Sequence, residues 1–513
     1  MLPVLDNDAM READRHTIED LGVPSIVLME HAATGVVDAL RERFPEARRV
    51  LVTCGPGNNG GDGLAIARHL ADGGHDVELL LLADPARLHG DPALEWRLAE
   101  HFDVPRSVVD GDDLGALDRA LESPPDLIVD AMLGTGLDRP LGGRFAEVAR
   151  RLAAIGAPVV AVDVPTGLSG SSSGLPGPVL DADLTITFAA LKRCHVLPPA
   201  CLRCGQVAVV DIGIPRRVVE REARLWWVEA ADVALQLPPR PVDGHKGRFG
   251  HLAVLAGAAG RGGAVALAAR AAVVAGAGLV TMAVPDPIAP VVDAACLEAM
   301  TLGLPADGDG AVAVIDALLR QLDRFSAVAI GPGLGTGDGA RAALDALLDR
   351  WSGPLILDAD ALNLLADRPE RLADREGATV LTPHPGELGR LIGRSTDAVV
   401  ADRIDAAREA ARRADAVVVA KSYRTVIAAP DGQAWINPTG DAHLGSGGSG
   451  DVLTGLVAGL AAQGLDLDRA AIVACWLHGR AGELGATTWP AAVPAGELPP
   501  LIAAAWRELE VEA

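Results

Sequence analysis

The sequence predicts an α/β protein built as two domains in series. Three observations carry that reading. Short apolar runs alternate with amphipathic stretches, the pattern of repeated βα units on a mostly parallel sheet. One segment, Trp226 to Arg248, breaks the alternation with paired Trp and then LPPRPVDGHKGR. And 513 residues exceed what one hydrophobic core ordinarily serves.

Taken in order, helices are expected at Asp8–Leu21 and Ser25–Arg43, separated by the breakers Gly22 and Pro24. Val50–Cys54, Val77–Leu82, Leu127–Ala131, Val159–Val164, Leu184–Phe188 and Val207–Ile212 have the length and composition of strands buried on both faces. Gly63–Asp72 and Arg144–Ala154 carry helical spacing between them. Past the break, His251–Leu255, Leu279–Val284, Ala327–Ile330, Leu355–Leu357, Thr379–Leu381, Ala416–Ala420 and Val426–Ala429 repeat the strand pattern. Helices are expected there at Gly262–Ala275, Ala340–Trp351, Ala398–Arg413, Asp451–Ala462 and Arg469–Leu484. Residues 1–224 are therefore assigned to the first domain and 225–513 to the second.

With 45 Lys+Arg against 69 Asp+Glu, the formal net charge of −24 excludes a nucleic-acid partner, because affinity for a phosphate backbone comes from clustered cations. Only three lysines occur, Lys192, Lys246 and Lys421. The 58 glycines need a reason, since glycine inside regular structure costs stability and marks turns or close backbone approaches. The most apolar long window, Ala264 to Val284, contains Arg270 and several Gly and reads as a helix followed by a strand, not a membrane span. The opening MLPVLDNDAMREADRH has acids where a secretory signal needs basic then apolar residues, and six Cys make no disulfide framework in so long a chain. A reducing cytoplasm is the expected setting. Cys201 and Cys204 form a CxxC near Cys194 and His195, but without a second CxxC a loop is expected there instead of a zinc site.

GPGNNGGDG (Gly55–Gly63) follows a strand and opens a helix, so its backbone N–H groups are free to hold an anion. It matches neither the dinucleotide nor the P-loop fingerprint, and as a bare turn it is equally plausible. Asp130 lies near the end of the strand in LIVDAML and is followed by Gly134–Pro140; Asp163 lies near the end of VVAVDV and is followed by Pro165, Thr166 and Gly167. Three acid- or amide-bearing loops at strand ends converge on one pocket in an open α/β sheet. Oxygen groups from Asn59, Asp130 and Thr166 suit a hard cation, while the alternative for Asp130 and Asp163 is helix capping.

The run Met10–Ala33, GPGNNGGDG, DAMLGTGLDRP (Asp130–Pro140) and VDVPTGL (Val162–Leu168) together resemble the epimerase domain of NAD(P)H-hydrate repair enzymes, a Rossmann-like fold. The resemblance implies that Asn58, Asn59, Gly60, Gly61, Asp62, Gly134, Thr135, Gly136, Leu137, Asp138, Arg139 and Pro140 contact the hydrated nicotinamide nucleotide. It further implies that Asp163 touches the reacting part as the catalytic group, and that Asn59, Asp130 and Thr166 bind potassium.

In the second half, GSGGSGDVLTG (Gly445–Gly455) runs a Gly/Ser-rich turn into a helix at Asp451, presenting successive N–H groups to a phosphate with a carboxylate beside it. Lys421 ends the strand AVVVAK at its carboxyl edge, and His384 sits on the Pro-flanked turn of LTPHPGEL. Asp358 and Asp360 in LDADALN are candidates for magnesium or for structural hydrogen bonding. With HKGRFGHLAVLAG (His245–Gly257), Gly262–Pro285 and GPGLG, these segments resemble the ADP-dependent NAD(P)H-hydrate dehydratases, relatives of ribokinase-like kinases. By that resemblance Ala264, Gly333, His384 and Asp451 contact the hydrate, while Lys421, Ser422, Tyr423, Arg424, Thr425 and Gly450 hold the adenine nucleotide.

The function so implied is bifunctional metabolite repair. NADH and NADPH add water at ring carbon C6; the first domain would interconvert the R and S hydrates, and the second would restore the S form with ADP, giving AMP and phosphate. Potassium in the first domain, Mg2+ in the second, ADP as co-substrate and an assembly of identical copies are the expected cofactors and partners, with no nucleic acid and no membrane. The alternative is a ribokinase-like vitamin or sugar kinase fused to a non-catalytic binding module.

Overall fold

The computed structural model describes residues 1–109, 111, 113–137 and 139–512. The chain forms two compact units, Leu2–Leu225 and, with Met1, Trp226–Ala513.

The strands of the first unit are β1 (Leu2–Leu5), β2 (Arg49–Cys54), β3 (Asp76–Leu81), β4 (Arg106–Val108), β5 (Leu127–Ala131), β6 (Val159–Val162), β7 (Leu184–Phe188), β8 (Leu191–Lys192) and β9 (Gln206–Val210). Seven form one parallel sheet in the order β4-β3-β2-β5-β6-β7-β9. The order reverses between β2 and β5, whose last residues Cys54 and Ala131 are register partners. Such a reversal opens a crevice at the carboxyl ends of the strands, where ligands of open α/β sheets bind. β1 and β8 pair separately and in parallel, Leu5 opposite Lys192, which fixes the backbone of that lysine.

Three differences from expectation have local causes. β4 (RSV) has no apolar run to announce it. β9 is the sheet edge and its side chains are only half-buried, so Val207–Ile212 is not covered on both faces. The first helix stops at Arg15, and the next turn, His16–Asp20, is wound wider: Leu21 N–H donates to His16 O at 3.0 Å, five residues back.

β10 (Leu225–Trp227) lies at the change of unit. The second unit then contributes β11 (His251–Leu255), β12 (Leu279–Pro285), β13 (Met300–Leu304), β14 (Ala327–Ile330), β15 (Leu355–Leu357), β16 (Thr379–Leu381), β17 (Val417–Ala420), β18 (Val426–Ala428) and β19 (Ala434–Ile436). They run β13-β12-β11-β14-β15-β16-β17-β18-β19, parallel until β17 and antiparallel through β18 and β19. β13 and β19 are absent from the sequence reading: MTLGL carries a glycine, and AWI is too short to stand out.

Two helices pack closely on this sheet, Gly262–Val274 and Ser449–Ala462. A Cβ on Gly455 would lie 2.0 Å from the carbonyl oxygen of Ala268, and one on Gly459 would lie 2.8 Å from Ala272 Cα. Only glycine at these two positions, one turn apart, lets the backbones approach so far. Part of the glycine and alanine content is thus an interhelical seam. Among the described residues no helix is long and apolar enough to cross a membrane.

Candidate functional site

In the first unit a cleft of about 800 Å3 opens at the carboxyl ends of β2 and β5. Its floor is set by backbone contact: a Cβ on Gly55 would lie 1.7 Å from Met132 O, and one on Gly60 would lie 1.9 Å from Gly55 O. The helix Asn58–Asp72 begins here with Gly57 as its cap and no side chain on its first N–H groups, which leaves them for a ligand. Asn58, Asn59, Asp62 and Asp163 line the cleft, as does the run Gly134–Leu137 with Arg139 and Pro140. Gly60 and Gly61 are buried behind it, and Asp138 lies outside the described residues.

Beneath that lining, Asp130 and Thr166 are fully buried. Asp130 accepts the Thr166 hydroxyl at 2.7 Å and Thr166 N–H at 2.8 Å, and Thr166 Oγ1 accepts Leu133 N–H at 3.0 Å. Burial pushes the Asp130 carboxyl up to about 6, against the downward pull of these hydrogen bonds. The Asn59 amide is a buried group whose Oδ1 and Nδ2 have no partner among the described residues, and a Cβ on Gly134 would come 3.1 Å from that Oδ1. The unpartnered, buried amide oxygen of Asn59 and the buried carboxylate and hydroxyl of Asp130 and Thr166 are oxygen donors of the kind that fit a hard cation.

Asp163 follows β6 with φ +65°, a strained conformation for a residue with a side chain. Its Oδ1 accepts the Lys192 ammonium at 2.7 Å and the Thr187 hydroxyl at 2.9 Å. Burial alone would raise Asp163, but the charge and hydrogen bond of Lys192, with Thr187, hold its carboxyl below the usual range. Lys192 is only 1% exposed and also donates to Thr187 Oγ1 at 2.8 Å and Phe188 O at 3.0 Å. Sequence reasoning passed over Lys192, although its rarity in a chain with three lysines was a usable signal. It also missed the cluster behind the cleft, where buried Arg68 meets Glu95 at 3.2 Å and also pairs with Glu30, while His69 meets Glu30 at 2.7 Å. This cluster ties the helix opening at Asn58 to its two neighbours.

Cys194, Cys201 and Cys204 are buried, Cys204 Sγ donates to Ala200 O at 3.5 Å, and no metal-holding group of three or more His, Cys, Asp or Glu occurs among the described residues.

In the second unit the sequence-derived residues gather at the carboxyl ends of β11 and β14 to β17. Lys421 Nζ donates to Asp358 Oδ1 at 2.7 Å, and Thr454 Oγ1 donates to Asp358 Oδ2 at 2.7 Å. Asp360 accepts Gly335 N–H at 2.7 Å and pairs with Arg261 at 3.4 Å. Both acids therefore serve protein donors. The helix carrying Asp451 begins at Ser449 after Gly448, whose φ of +92° requires glycine. Gly450 lies against Lys421, where a Cβ would be 3.4 Å from Nζ, and Gly333 lies against Ala264 at the same would-be distance. His384 caps the helix Pro385–Ile392, its Nδ1 accepting Gly386 N–H at 3.0 Å, while Lys421 N–H donates to Pro383 O at 2.9 Å, joining the two strand ends. Burial, and then the charge of Asp358, push Asp451 up to about 6 against the pull of Lys421. Ser422 and Thr425 close a turn, Thr425 Oγ1 donating to Ser422 O at 2.9 Å. Arg424, at φ +59°, stacks its guanidinium 4.4 Å from the Trp227 ring centre and 5.5 Å from that of Tyr423. His478, missed in the sequence, meets Ser449 O at 3.0 Å and holds the start of the Asp451 helix.

Comparison with known proteins gives a consistent picture. A family described as NAD(P)H-hydrate dehydratase matches residues 252–501, and one described as YjeF-related protein N-terminus matches residues 25–194. The chain is 40% identical to the bifunctional NAD(P)H-hydrate repair enzyme of Moorella thermoacetica, over 98% of this chain and 96% of that protein. It is 38% identical to the enzyme of the same name from Salinibacter ruber, over 97% and 94% respectively. A solved ADP/ATP-dependent NAD(P)H-hydrate dehydratase from Bacillus subtilis aligns with TM-score 0.49 and 33% identity, over 55% of this chain and 98% of its own.

Proposed function

The chain belongs to the family of bifunctional NAD(P)H-hydrate repair enzymes, and we propose that its two units divide the repair between them. The first unit interconverts the R and S hydrates, and the second dehydrates the S form with ADP. The observation that carries the first assignment is the Lys192–Asp163 pair in the cleft, a carboxylate kept ionised in a buried setting. In this reading it takes the C6 hydroxyl proton of a nicotinamide hydrate whose phosphates rest on the N–H groups at Asn58. Asn59, Asp130 and Thr166 would hold potassium, which when bound supplies positive charge to ligand oxygens there.

For the second unit, hydroxide is a poor leaving group and phosphate a good one. Asp451, raised to about 6, acts as base at the C6 hydroxyl as the nucleotide's terminal phosphoryl group transfers. The turn ending at Gly450 and the Lys421 ammonium bind that phosphoryl group and steady its charge. Phosphate then leaves C6 as the ring nitrogen's electron pair forms the C6–N1 iminium, and loss of a C5 proton to water restores the C5–C6 double bond, so that NAD(P)H, AMP and phosphate are the products. Mg2+ would be carried by the nucleotide's phosphates and waters, as that ion ordinarily is.

The test is to supply purified protein with mixed R and S NADH hydrate plus ADP and follow recovery of reduced-nicotinamide absorbance. Full recovery supports both activities, recovery stopping at the S fraction removes the epimerase, and a stable phosphorylated product without NADH makes the second unit a kinase.

A further inference from the structure

Asp14 enters the same cleft as Asp163 and Lys192 from a different element, the helix Asn7–Arg15. That helix is tied down at its start: Asn7 Nδ2 donates to Thr135 O at 2.6 Å, and Asn7 N–H donates to Ser171 Oγ at 2.9 Å. Asp14 is half-buried, and its carboxylate has no hydrogen-bond partner among the described residues. The cleft thus holds two carboxyl groups in opposite situations. Asp163 accepts from the Lys192 ammonium and the Thr187 hydroxyl, while Asp14 has no such donor.

Burial drives Asp14 up to about 6, with Lys192 opposing and Asp163 reinforcing the rise, whereas Asp163 is held down. Two carboxyls pushed apart in one cleft are the arrangement by which one donates a proton while the other accepts one. The proposed substrate needs both. Its C6 carries a hydroxyl and is bonded to the ring nitrogen N1, so it is a hemiaminal, and a hemiaminal carbon inverts by opening and reclosing.

Resting on the epimerase reading of this unit, we infer that Asp14 is a second catalytic residue, the acid at N1 that works with Asp163 as base at the C6 hydroxyl. Asp163 takes the hydroxyl proton, the oxygen's electron pair forms the C6 carbonyl, and the C6–N1 bond breaks. Its electron pair passes to N1, which receives the proton of Asp14. The product is an open aldehyde bearing a secondary amine. Rotation about C5–C6 offers the other carbonyl face. N1 then attacks that face and returns its proton to Asp14, and Asp163 returns its proton to the oxygen. No water enters or leaves and no redox partner is consumed.

The experiment uses the full-length enzyme and purified R hydrate in water enriched in heavy oxygen, with mass spectrometry of the first S hydrate formed. The expected product keeps its original oxygen; uptake of one solvent oxygen per inversion overturns the inference in favour of hydroxide loss. In parallel, Asp14→Asn is expected to lower kcat for inversion by about 100-fold or more with KM within about 3-fold, and Asp14→Glu to recover part of it. Inversion by Asp14→Asn within about 3-fold of the parent, or a change confined to KM, overturns the role. ADP-dependent dehydration of pure S hydrate by the same variants reports that they are folded. Failure of the parent enzyme to invert R hydrate while it dehydrates S hydrate would instead remove the epimerase reading itself.

Discussion

Lys421 and Thr454 each donate to a different oxygen of Asp358 at 2.7 Å, so a single buried carboxylate fixes a strand-end cation and the first turns of the Asp451 helix together. The Gly loop and the lysine beside it therefore keep their spacing before any nucleotide arrives. Asp358→Ala should leave a buried cation unpaired and cost about 3 kcal/mol, while Lys421→Met should raise KM for ADP about 10-fold or more without altering epimerisation. Thermal unfolding and steady-state kinetics on the two hydrates read these separately.

Asp451→Asn should abolish NADH recovery and spare inversion of the hydrate. In the parent, Asp451 is raised to about 6 and works as a base only when ionised, so kcat for dehydration should fall as pH drops through about 6. A pH–rate profile flat from about pH 5 to 8 would remove Asp451 from that role.

Lys192→Met removes the charge that keeps Asp163 low, so burial then raises Asp163 and the base form is reached only at higher pH. Epimerisation at neutral pH should fall about 100-fold and return in part as pH rises, with Lys192→Arg intermediate.

Thr166→Val deprives Asp130 of its hydroxyl partner and should cost about 1–3 kcal/mol. If Asn59, Asp130 and Thr166 hold potassium, potassium chloride should raise the melting temperature of the parent more than lithium chloride does, and the difference should vanish in this variant. An equal response of parent and variant would exclude the site.

Arg68→Met leaves Glu95, fully buried, without its cation. The expected loss is about 3 kcal/mol, seen as a lower denaturant midpoint, with the Asp451-dependent chemistry unaffected in protein that remains folded.

Much of this was legible because apolar runs of strand length ended in acids, amides and glycines. Asp130, Asp163, Lys421 and Asp451 sit at the ends of elements that periodicity alone delimits. What escaped notice was chemistry made by tertiary contact. Lys192 lies in a two-residue strand that no pattern reveals, and its meaning comes from Asp163, 29 residues away. Asp14 lies in a helix whose exposed face carries many acids, so nothing local separates it from Glu12 or Asp8. Arg68 and Glu95 look like ordinary helical surface charges until three helices close over them. Asp358 and Asp360 were ambiguous for the same reason, since their partners come from distant segments.

On the proposed reading, both units would meet anions with backbone N–H groups on glycine turns in a chain whose net charge is −24. At low ionic strength, where the Debye length is about 30 Å, an approaching dinucleotide feels chiefly the acidic exterior and is repelled, whereas at physiological ionic strength, with a Debye length of about 8 Å, that repulsion is screened until close approach. Capture should therefore quicken as an inert salt such as tetramethylammonium chloride is added, the reverse of the trend for proteins that draw nucleotides in with lysine patches. The attraction is confined to contact range, and encounter with the ligand is governed by collision frequency and screening, not by guidance from afar.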